Sequence, residues 1–129
     1  MGRSLIPMLT VRNAAAALDF YGRAFGAIEQ TRFETPSGQI VAEMTIGDES
    51  FFVVDENPDA FNLSPETLGG TSVRISLSVN DPDATAGQAI AEGAVEIFPV
   101  TDQPYGLRQG RVADPFGHHW LISKPLSQP

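Results

Sequence analysis

The sequence predicts an α+β fold made of two tandem β-α-β-β-β modules. An internal repeat is the first observation: Leu9-Thr-Val-Arg-Asn13 precedes a helical stretch ending at Phe25-Gly26, and Leu77-Ser-Val-Asn-Asp81 precedes another ending at Gly93. The second observation is that three strand-like runs, separated by turn residues, follow each helical stretch. The order strand, helix and three strands therefore occurs twice, which indicates that one supersecondary unit is repeated.

Each predicted helix has recognisable start and stop signals. Asn13 can accept hydrogen bonds from the free backbone N–H groups of the first helix, and Gly26 ends that helix. Asp81 takes the same capping role in the second helix, with Pro82 at its first position and Gly93 after its end. These signals fix the order of elements in both halves of the chain.

The remaining elements follow from turns and strand-like runs. The runs cover residues 27–34, 39–46 and 50–55 in the first half, and 95–100, 109–113 and 118–123 in the second. Module 1 therefore spans about residues 4–56 and module 2 about residues 72–126, joined by a polar linker or lid at 57–71. Since 129 residues suffice for one core, we expect residues 1–129 to form a single domain.

Alternation along the strands predicts which side chains share a face of the sheet. Val73, Ile75, Leu77 and Val79 form an apolar row for the helices, which leaves Arg74 and the neighbouring serines on the other side. The same pattern places three further groups on that second side: Ile6, Met8 and Thr10; Phe51, Val53 and Asp55; His119, Leu121 and Ser123. If the sheet curls, this side becomes a cup of mixed polarity suited to a small organic ligand.

Composition excludes several classes of function. Eight basic and sixteen acidic residues give a net charge of −8, which argues against nucleic-acid and anionic-membrane partners and favours cationic over anionic ligands. The chain has no cysteine, so disulfides and thiolate metal sites are excluded. With no apolar run near the roughly 18 residues of a membrane span and no secretory leader, the expected location is the cytoplasm.

The paired modules, Leu18-Asp-Phe-Tyr21 with Phe25-Gly26, and the closing Asp114-Pro-Phe-Gly-His118 resemble the vicinal oxygen chelate superfamily. That superfamily includes glyoxalase I, extradiol dioxygenases and bleomycin-resistance proteins, and the closing motif is similar to its PhnB-like branch. The resemblance covers nearly the whole chain. It implies the glyoxalase/bleomycin-resistance fold, with a cup-shaped sheet that is often completed across a homodimer.

The resemblance also implies four metal-ligand positions on the cup face, usually His, Glu or Gln. Carried over by the flanking motifs, they fall at Ile6, near Val53, at Arg74 and at Leu121. Apolar side chains have no lone pair to donate and a guanidinium repels a cation, so we predict no metal and no cofactor. The adjacent His118 and His119 point to opposite faces of a strand and do not form a pair of ligands.

Two polar residues of the predicted cup have alternative interpretations. Arg74 needs a partner, which is either an internal carboxylate, Glu43 or Asp55, or a ligand. His119 acts either as a base or hydrogen-bond donor toward a ligand, or as a partly exposed histidine at a sheet edge.

Two aromatic residues have similar pairs of interpretations. Trp120 alternates with Leu121 toward the helices, which favours packing over ligand stacking. Tyr105 lies in a turn at the cup rim, where it caps a ligand or is simply exposed.

Three functions remain, and the first is favoured. It is a metal-independent protein, a homodimer, that sequesters a small organic ligand such as an antibiotic or natural product. The second is a metal-dependent glyoxalase-, isomerase- or dioxygenase-like enzyme with unaligned ligands, and the third a cofactor-free catalyst that uses His119 with Arg74. The predicted binding residues are Ile6, Met8, Phe51, Val53, Arg74, Ser76, Tyr105, His119 and Leu121.

Overall fold

The computed structural model describes residues 2–127 and has two modules of the predicted type, which confirms the α+β class. The elements of module 1 are β1 (Met8–Val11), α1 (Ala14–Phe25), β2 (Ile28–Glu34), β3 (Ile40–Ile46) and β4 (Glu49–Asp55). The connecting segment contains a 3-10 turn (Pro58–Ala60) and the short helix α2 (Pro65–Leu68). The elements of module 2 are β5 (Arg74–Ser78), α3 (Pro82–Ala91), β6 (Val95–Asp102), β7 (Leu107–Ala113) and β8 (His119–Pro125).

Each module forms its own four-stranded sheet. The strand orders are β1-β4-β3-β2 and β5-β8-β7-β6, so β1 and β5 are both edge strands. In each sheet the first strand pairs in parallel with the last, and the other pairs are antiparallel. A helix connects the first strand to the second, and the remaining strands follow one another through short turns, which reverse the chain direction. The same topology in both sheets confirms the internal repeat.

The predicted N-cap residues begin both long helices. The Asn13 side chain accepts a hydrogen bond from the backbone N–H of Ala16 at 3.1 Å, and Asp81 accepts one from that of Ala84 at 3.0 Å. Replacing such a cap by alanine typically costs about 1 kcal/mol. Gly26 ends α1 with a φ of 70°, a left-handed conformation that glycine adopts at little cost.

The two modules share one aromatic core. Trp120 on β8 is 1% exposed, and its ring centroid lies 4.6 Å from that of Phe25 on α1 and 5.9 Å from that of Phe51 on β4. Such contacts between large rings bury much apolar surface and add roughly 0.5–1.5 kcal/mol per pair beyond it. The prediction that Trp120 packs in the core is confirmed.

The predicted alternation in module 2 is confirmed within β5, whereas Val73, which precedes the strand, is 60% exposed. Ile75 pairs with Trp120 toward the helices, whereas Arg74 pairs with His119 and Ser76 with Leu121 on the opposite side. We call the side of each sheet that faces away from the helices its outer face. Arg74 and Ser76 are both exposed there.

In module 1 the prediction for β4 is wrong by one residue. Val53 pairs with Leu9 and is fully buried, and Phe51 is 6% exposed, so both side chains face the helices. Phe52 lies on the outer face instead, where it pairs with Met8, which lies on that face as predicted and is 59% exposed. Because residues 51–54 are all apolar, alternation alone does not distinguish the two faces; pairing with β1 decides it.

Asp55 is also predicted on the second side of the sheet, and its carboxylate instead binds two backbone groups. It accepts hydrogen bonds from the N–H of Ala14 at 2.7 Å and from that of Ile40 at 2.8 Å. The first places a negative charge at the N-terminus of α1, where it interacts favourably with the helix dipole.

The connecting segment packs against the rest of the chain. Ser64 is fully buried and caps α2, and Glu56 accepts hydrogen bonds from the Ser64 N–H at 2.9 Å and the Thr67 hydroxyl at 2.7 Å. A Cβ on Gly117 would approach Pro65 Cβ to 2.7 Å, so the segment lies directly on the turn before β8. None of the helices between residues 2 and 127 has the length and apolar character needed to cross a bilayer.

Candidate functional site

A cleft of about 610 Å³ opens between the edge strands β1 and β5. It is mostly apolar, and aromatic side chains from both modules reach it. Its apolar lining includes Leu9, Ile46, Phe51, Ile75, Leu77 and Trp120. A concave apolar surface of this size fits a small organic molecule.

The outer face of the second sheet adjoins this cleft and carries polar side chains in rows across the strands. Arg74 lies beside His119 in one row, and Ser76 lies beside Leu121 in the next, followed by Arg111 on β7. Ser76 also lines the cleft. The apolar cleft and the polar outer face therefore meet at Ser76.

A hydrogen bond between Arg111 and His119 determines which histidine nitrogen carries the proton. The Arg111 Nε donates to His119 Nδ1 at 3.0 Å. A guanidinium only donates hydrogen bonds, so Nδ1 is the unprotonated nitrogen and Nε2 carries the proton of the neutral ring. His119 therefore presents an N–H donor at Nε2.

The pKa of His119 is lowered from its usual value of 6.5, chiefly because burial disfavours the charged ring. The positive charge of Arg111 lowers this pKa further, and that of His118 does so to a smaller extent, while Asp114 opposes both. Neutral His119 is thus the main form near neutral pH. This form has Nε2–H as donor and Nδ1 already occupied, which disfavours the general-base role considered for His119.

Arg74 has no internal carboxylate partner among residues 2–127. The ion pairs of that part of the chain involve Arg23, Arg32 and Arg108. Glu43 lies on β3 of the first sheet, paired with Phe52. Because the Asp55 carboxylate is engaged by two backbone N–H groups, the predicted salt bridge from Arg74 to an internal acid is wrong.

Tyr105 lies where the β6–β7 turn bends over one end of the outer face. Its hydroxyl donates to Gln109 Oε1 at 2.5 Å, and the residue is 61% exposed. This hydrogen bond therefore fixes the position of the Tyr105 side chain, and its ring remains accessible to solvent. Tyr105 is not among the residues that line the cleft, so its place at the rim stays a prediction.

The other predicted site residues are scattered. Ile6 precedes β1 and is 41% exposed, Met8 lies on the outer face of the first sheet, and Val53 is fully buried. Only Arg74, Ser76, His119 and Leu121 are brought together on one face. Phe51 lies on the opposite, helix-facing side of its sheet, but it lines the cleft that Ser76 also lines.

Two further residues belong to this face, and the sequence-based prediction of the site omits them. Gln109 and Arg111 lie beside Ser123 and Leu121 on the outer face. A signal for them is present in the sequence, since both alternate along β7 with Gly110 and Val112, which face the core. Assigning the two faces of the run that begins at Gln109 would have found them.

A buried carboxylate joins the two modules beneath the site. Asp114 is 4% exposed and accepts hydrogen bonds from the Tyr21 hydroxyl at 2.5 Å and from Trp120 Nε1 at 2.9 Å. Its other oxygen accepts from the backbone N–H groups of Phe116 and His118. Burial raises the pKa of Tyr21 well above its usual value, and the nearby charge of Asp114 raises it further.

Metal-ligating residues do not cluster in the described part of the chain. Across residues 2–127, no three His, Asp or Glu side chains lie close enough together to hold one ion. The two histidines are directed differently: His118 Nε2 lies 2.8 Å from the Thr10 carbonyl oxygen, whereas His119 bonds to Arg111. The side chains of the outer face offer hydrogen-bond donors and apolar surface.

Comparison with known proteins gives one family. Residues 5–122 match the family model described as Glyoxalase/Bleomycin resistance protein/Dioxygenase superfamily. The chain is also similar to the uncharacterized protein Rv0887c of Mycobacterium tuberculosis (strain ATCC 25618 / H37Rv). The two are 40% identical over 129 residues, which cover 97% of this chain and 76% of that protein.

Solved structures with the same fold include TioX from Micromonospora sp. ML1, with a TM-score of 0.76 and 26% identity over 97% of this chain and 100% of TioX. The Arabidopsis thaliana gene product At5g48480 has a TM-score of 0.75 and 29% identity over 95% of this chain and 99% of its own.

Proposed function

Because the chain belongs to the Glyoxalase/Bleomycin resistance protein/Dioxygenase superfamily, we propose that it is a metal-independent protein that binds a small organic molecule. The observation that carries the proposal is the cleft of about 610 Å³ between β1 and β5, which opens at Ser76 onto a polar sheet face. An antibiotic or other natural product combines apolar rings with a few polar groups and fits this arrangement. Binding alone sequesters such a molecule in the cytoplasm.

The two parts of the site contribute differently to binding. Removing apolar surface from water stabilises a complex by about 25 cal/mol per Å², and the cleft walls supply that surface. Ser76 lines the cleft, Arg74 and His119 lie in the adjacent row of the outer face, and all three offer hydrogen-bond donors. These donors orient the polar groups of a ligand whose apolar part fills the cleft.

Metal independence rests on the side chains themselves. The positions corresponding to metal ligands in the superfamily are occupied by Ile6, Arg74 and Leu121, and by Phe52 or Val53 on β4, none of which is a ligand for a divalent ion. Elemental analysis of protein purified without chelators tests this part. We expect substoichiometric divalent metal; one tightly bound ion per chain would instead support the metal-dependent enzyme.

We extend the proposal to a homodimer of the PhnB-like type, whose second copy covers the outer face of the first sheet. Met8, Ile28 and Phe33 on that face are each about 60% exposed, and large exposed apolar groups of this kind are typical of interfaces. Light scattering should give twice the chain mass of 13.8 kDa. Phe33→Glu should reduce this mass to that of one chain, whereas Leu68→Glu, on the exposed side of α2, should not.

Binding can be measured with N-phenyl-1-naphthylamine, a neutral apolar probe whose fluorescence rises when it leaves water. We expect saturable binding and energy transfer from Trp120, which is the only tryptophan and lines the cleft. Ser76→Phe should block the mouth of the cleft and weaken binding, whereas Thr101→Phe on the edge strand β6 should leave it unchanged. Absence of saturable binding, or an equal effect of both variants, would refute the proposed site.

A further inference from the structure

We propose that the outer face of the second sheet selects ligands that carry an anionic oxygen group, held between Arg74 and Arg111. The group is a carboxylate, phosphate or sulfonate attached to an organic body. This inference rests on the proposed function, because it assigns a ligand class to the same site. It differs from the expectation drawn from the net charge of −8, which favours cationic ligands.

The first support is the distribution of charge on this face. The chain has sixteen acidic residues, yet no Asp or Glu lies on the outer face of β5, β7 or β8. The outer positions of these three strands are Arg74, Ser76, Ser78, Gln109, Arg111, Ala113, His119, Leu121 and Ser123. In a protein with twice as many acids as bases, a face with two arginines and no acid is locally positive; Glu49 is the acid that lines the adjoining cleft.

The second support is that the two guanidinium groups have not been neutralised by the protein. Arg23, Arg32 and Arg108 form ion pairs with carboxylates, whereas no ion pair within residues 2–127 includes Arg74 or Arg111. Arg111 uses Nε to hold His119, which leaves its two terminal nitrogens available. Guanidinium groups bind carboxylate and phosphate oxygens in pairs of parallel hydrogen bonds.

The third support is the geometry of the rows. Arg74 on β5 and Arg111 on β7 are separated by β8 and are offset by two residues along it, so their Cα atoms lie about 12 Å apart at the usual strand spacing and rise. His119 and Leu121 lie between them on β8. Arginine side chains are long enough to extend along the face from either side of β8 and reach one oxyanion beside His119, toward which Arg111 already points.

The fourth support is that neighbouring polar groups are donors. The hydrogen bond from Arg111 fixes the proton of neutral His119 on Nε2, which has no partner among residues 2–127. Ser76 and Ser78 add hydroxyl groups on the adjacent rows. A face of guanidinium, imidazole N–H and hydroxyl groups complements an acceptor-rich group and repels an ammonium.

The net charge of the chain acts on a different length scale from these contacts. Charges on exposed residues elsewhere are screened beyond a Debye length of about 8 Å at physiological salt. A group bound between Arg74 and Arg111 touches both directly. The local pair therefore decides which ligands bind, while the net charge slows the approach of anions at low salt.

The experiment compares two matched probes on the purified full chain. 8-Anilinonaphthalene-1-sulfonate has the same aromatic body as N-phenyl-1-naphthylamine and adds one sulfonate. Arg74→Gln and Arg111→Gln should each weaken binding of the sulfonate probe by about tenfold or more, the usual loss for a charge-assisted hydrogen bond. Binding of the neutral probe should change by less than about twofold, since its contacts are apolar.

Lys124→Gln is the matched control. Lys124 lies on β8, three residues from Leu121, so it alternates to the opposite side of the strand from His119 and Leu121. The substitution removes the same unit of charge from the same sheet and should leave both probes unchanged. Circular dichroism and thermal melts verify that each variant is folded, and Arg74→Gln, at an exposed position, is the variant least coupled to packing.

The outcomes separate the two proposals. If the neutral probe binds and both arginine variants bind the sulfonate probe like wild type, the anion inference is overturned and the binding function stands. An equal loss for both probes also overturns the inference, because it indicates a change of packing. If neither probe binds the wild-type protein, the proposed function itself is refuted.

Discussion

The hydroxyl of Tyr21 on α1 donates a 2.5 Å hydrogen bond to Asp114, which lies 93 residues further along the chain in the turn before β8. The same carboxylate oxygen accepts from Trp120 Nε1, whose ring lines the cleft. One buried acid thus connects the helix of module 1 to the aromatic floor of the candidate site.

Removing the Tyr21 hydroxyl should destabilise the fold. In Tyr21→Phe the buried carboxylate loses one donor, and we expect a loss of about 1–3 kcal/mol in the free energy of unfolding. Urea denaturation monitored by Trp120 fluorescence measures it. Tyr105→Phe is the matched control, because it removes a hydrogen bond of the same length at an exposed turn and should cost less than about 0.5 kcal/mol. Equal effects would contradict the structural role of Asp114.

Tyr21 also predicts how stability depends on alkaline pH. Its pKa is raised above 10.0 in the folded protein, first by burial and then by Asp114, whereas the unfolded chain has the ordinary value. Below that value both states are protonated and the contribution is complete. As the pH rises above it, only the unfolded state ionises, so the free energy of unfolding must fall.

Urea titrations between pH 8 and 11 test this dependence. The decline above pH 10 should be steeper for wild type than for Tyr21→Phe, which has no phenol to ionise at this position. Identical slopes in the two proteins would mean that the phenol ionises as readily in the folded state as in the unfolded one.

His119 should titrate below its usual pKa and carry its proton on Nε2. Nitrogen NMR of the neutral ring distinguishes Nε2–H from Nδ1–H and follows the titration directly. We expect a pKa under 6.5, since burial and the Arg111 charge both disfavour the imidazolium form. Arg111→Gln should raise this pKa and allow the proton of the neutral ring to occupy Nδ1 as well as Nε2, while Lys124→Gln should do neither. A dominant Nδ1–H form in wild type would refute the assignment.

Gly110 and Gly87 should respond oppositely to alanine. A Cβ on Gly110 would lie 2.7 Å from Val100 Cγ2 and 2.8 Å from the Val100 backbone N, so β6 and β7 must separate and the protein should lose about 1–3 kcal/mol. Gly87 lies inside α3 with no atom within 4 Å of its Cβ position. Gly87→Ala should therefore stabilise by about 0.4–1 kcal/mol. Thermal melts of the two variants check the pair.

Much of the fold is predictable because it depends on short-range patterns. The caps at Asn13 and Asp81 follow from residue type and spacing, since a helix start requires an acceptor near its free N–H groups. The outer face of β5 is predicted correctly because polar and apolar residues alternate there without ambiguity, and in β8 the polar His119 and Ser123 on either side of the apolar residues 120–122 indicate the face. This alternation alone is enough to place Arg74 and Ser76 on the same face as His119 and Leu121.

The errors share a physical cause, which is that they depend on pairing between distant segments. Phe51 and Val53 are predicted on the wrong face because every residue from 51 to 54 is apolar, and either parity satisfies the pattern. Only the register with β1, which matches Val53 to Leu9, determines the outcome. Of the two alternatives for Arg74, the internal acid is wrong for a similar reason, since the Asp55 carboxylate is used by the backbone of Ala14 and Ile40.

Two β-α-β-β-β modules, their capped helices and the polar face of the second sheet are all predictable from local spacing and alternation in the chain. The contacts between the modules come from packing. It brought Tyr21 to Asp114, opened a cleft between β1 and β5, and set the proton of His119 through Arg111. Each depends on which distant groups meet, and contact across many residues is a property of the packed chain that no local pattern specifies.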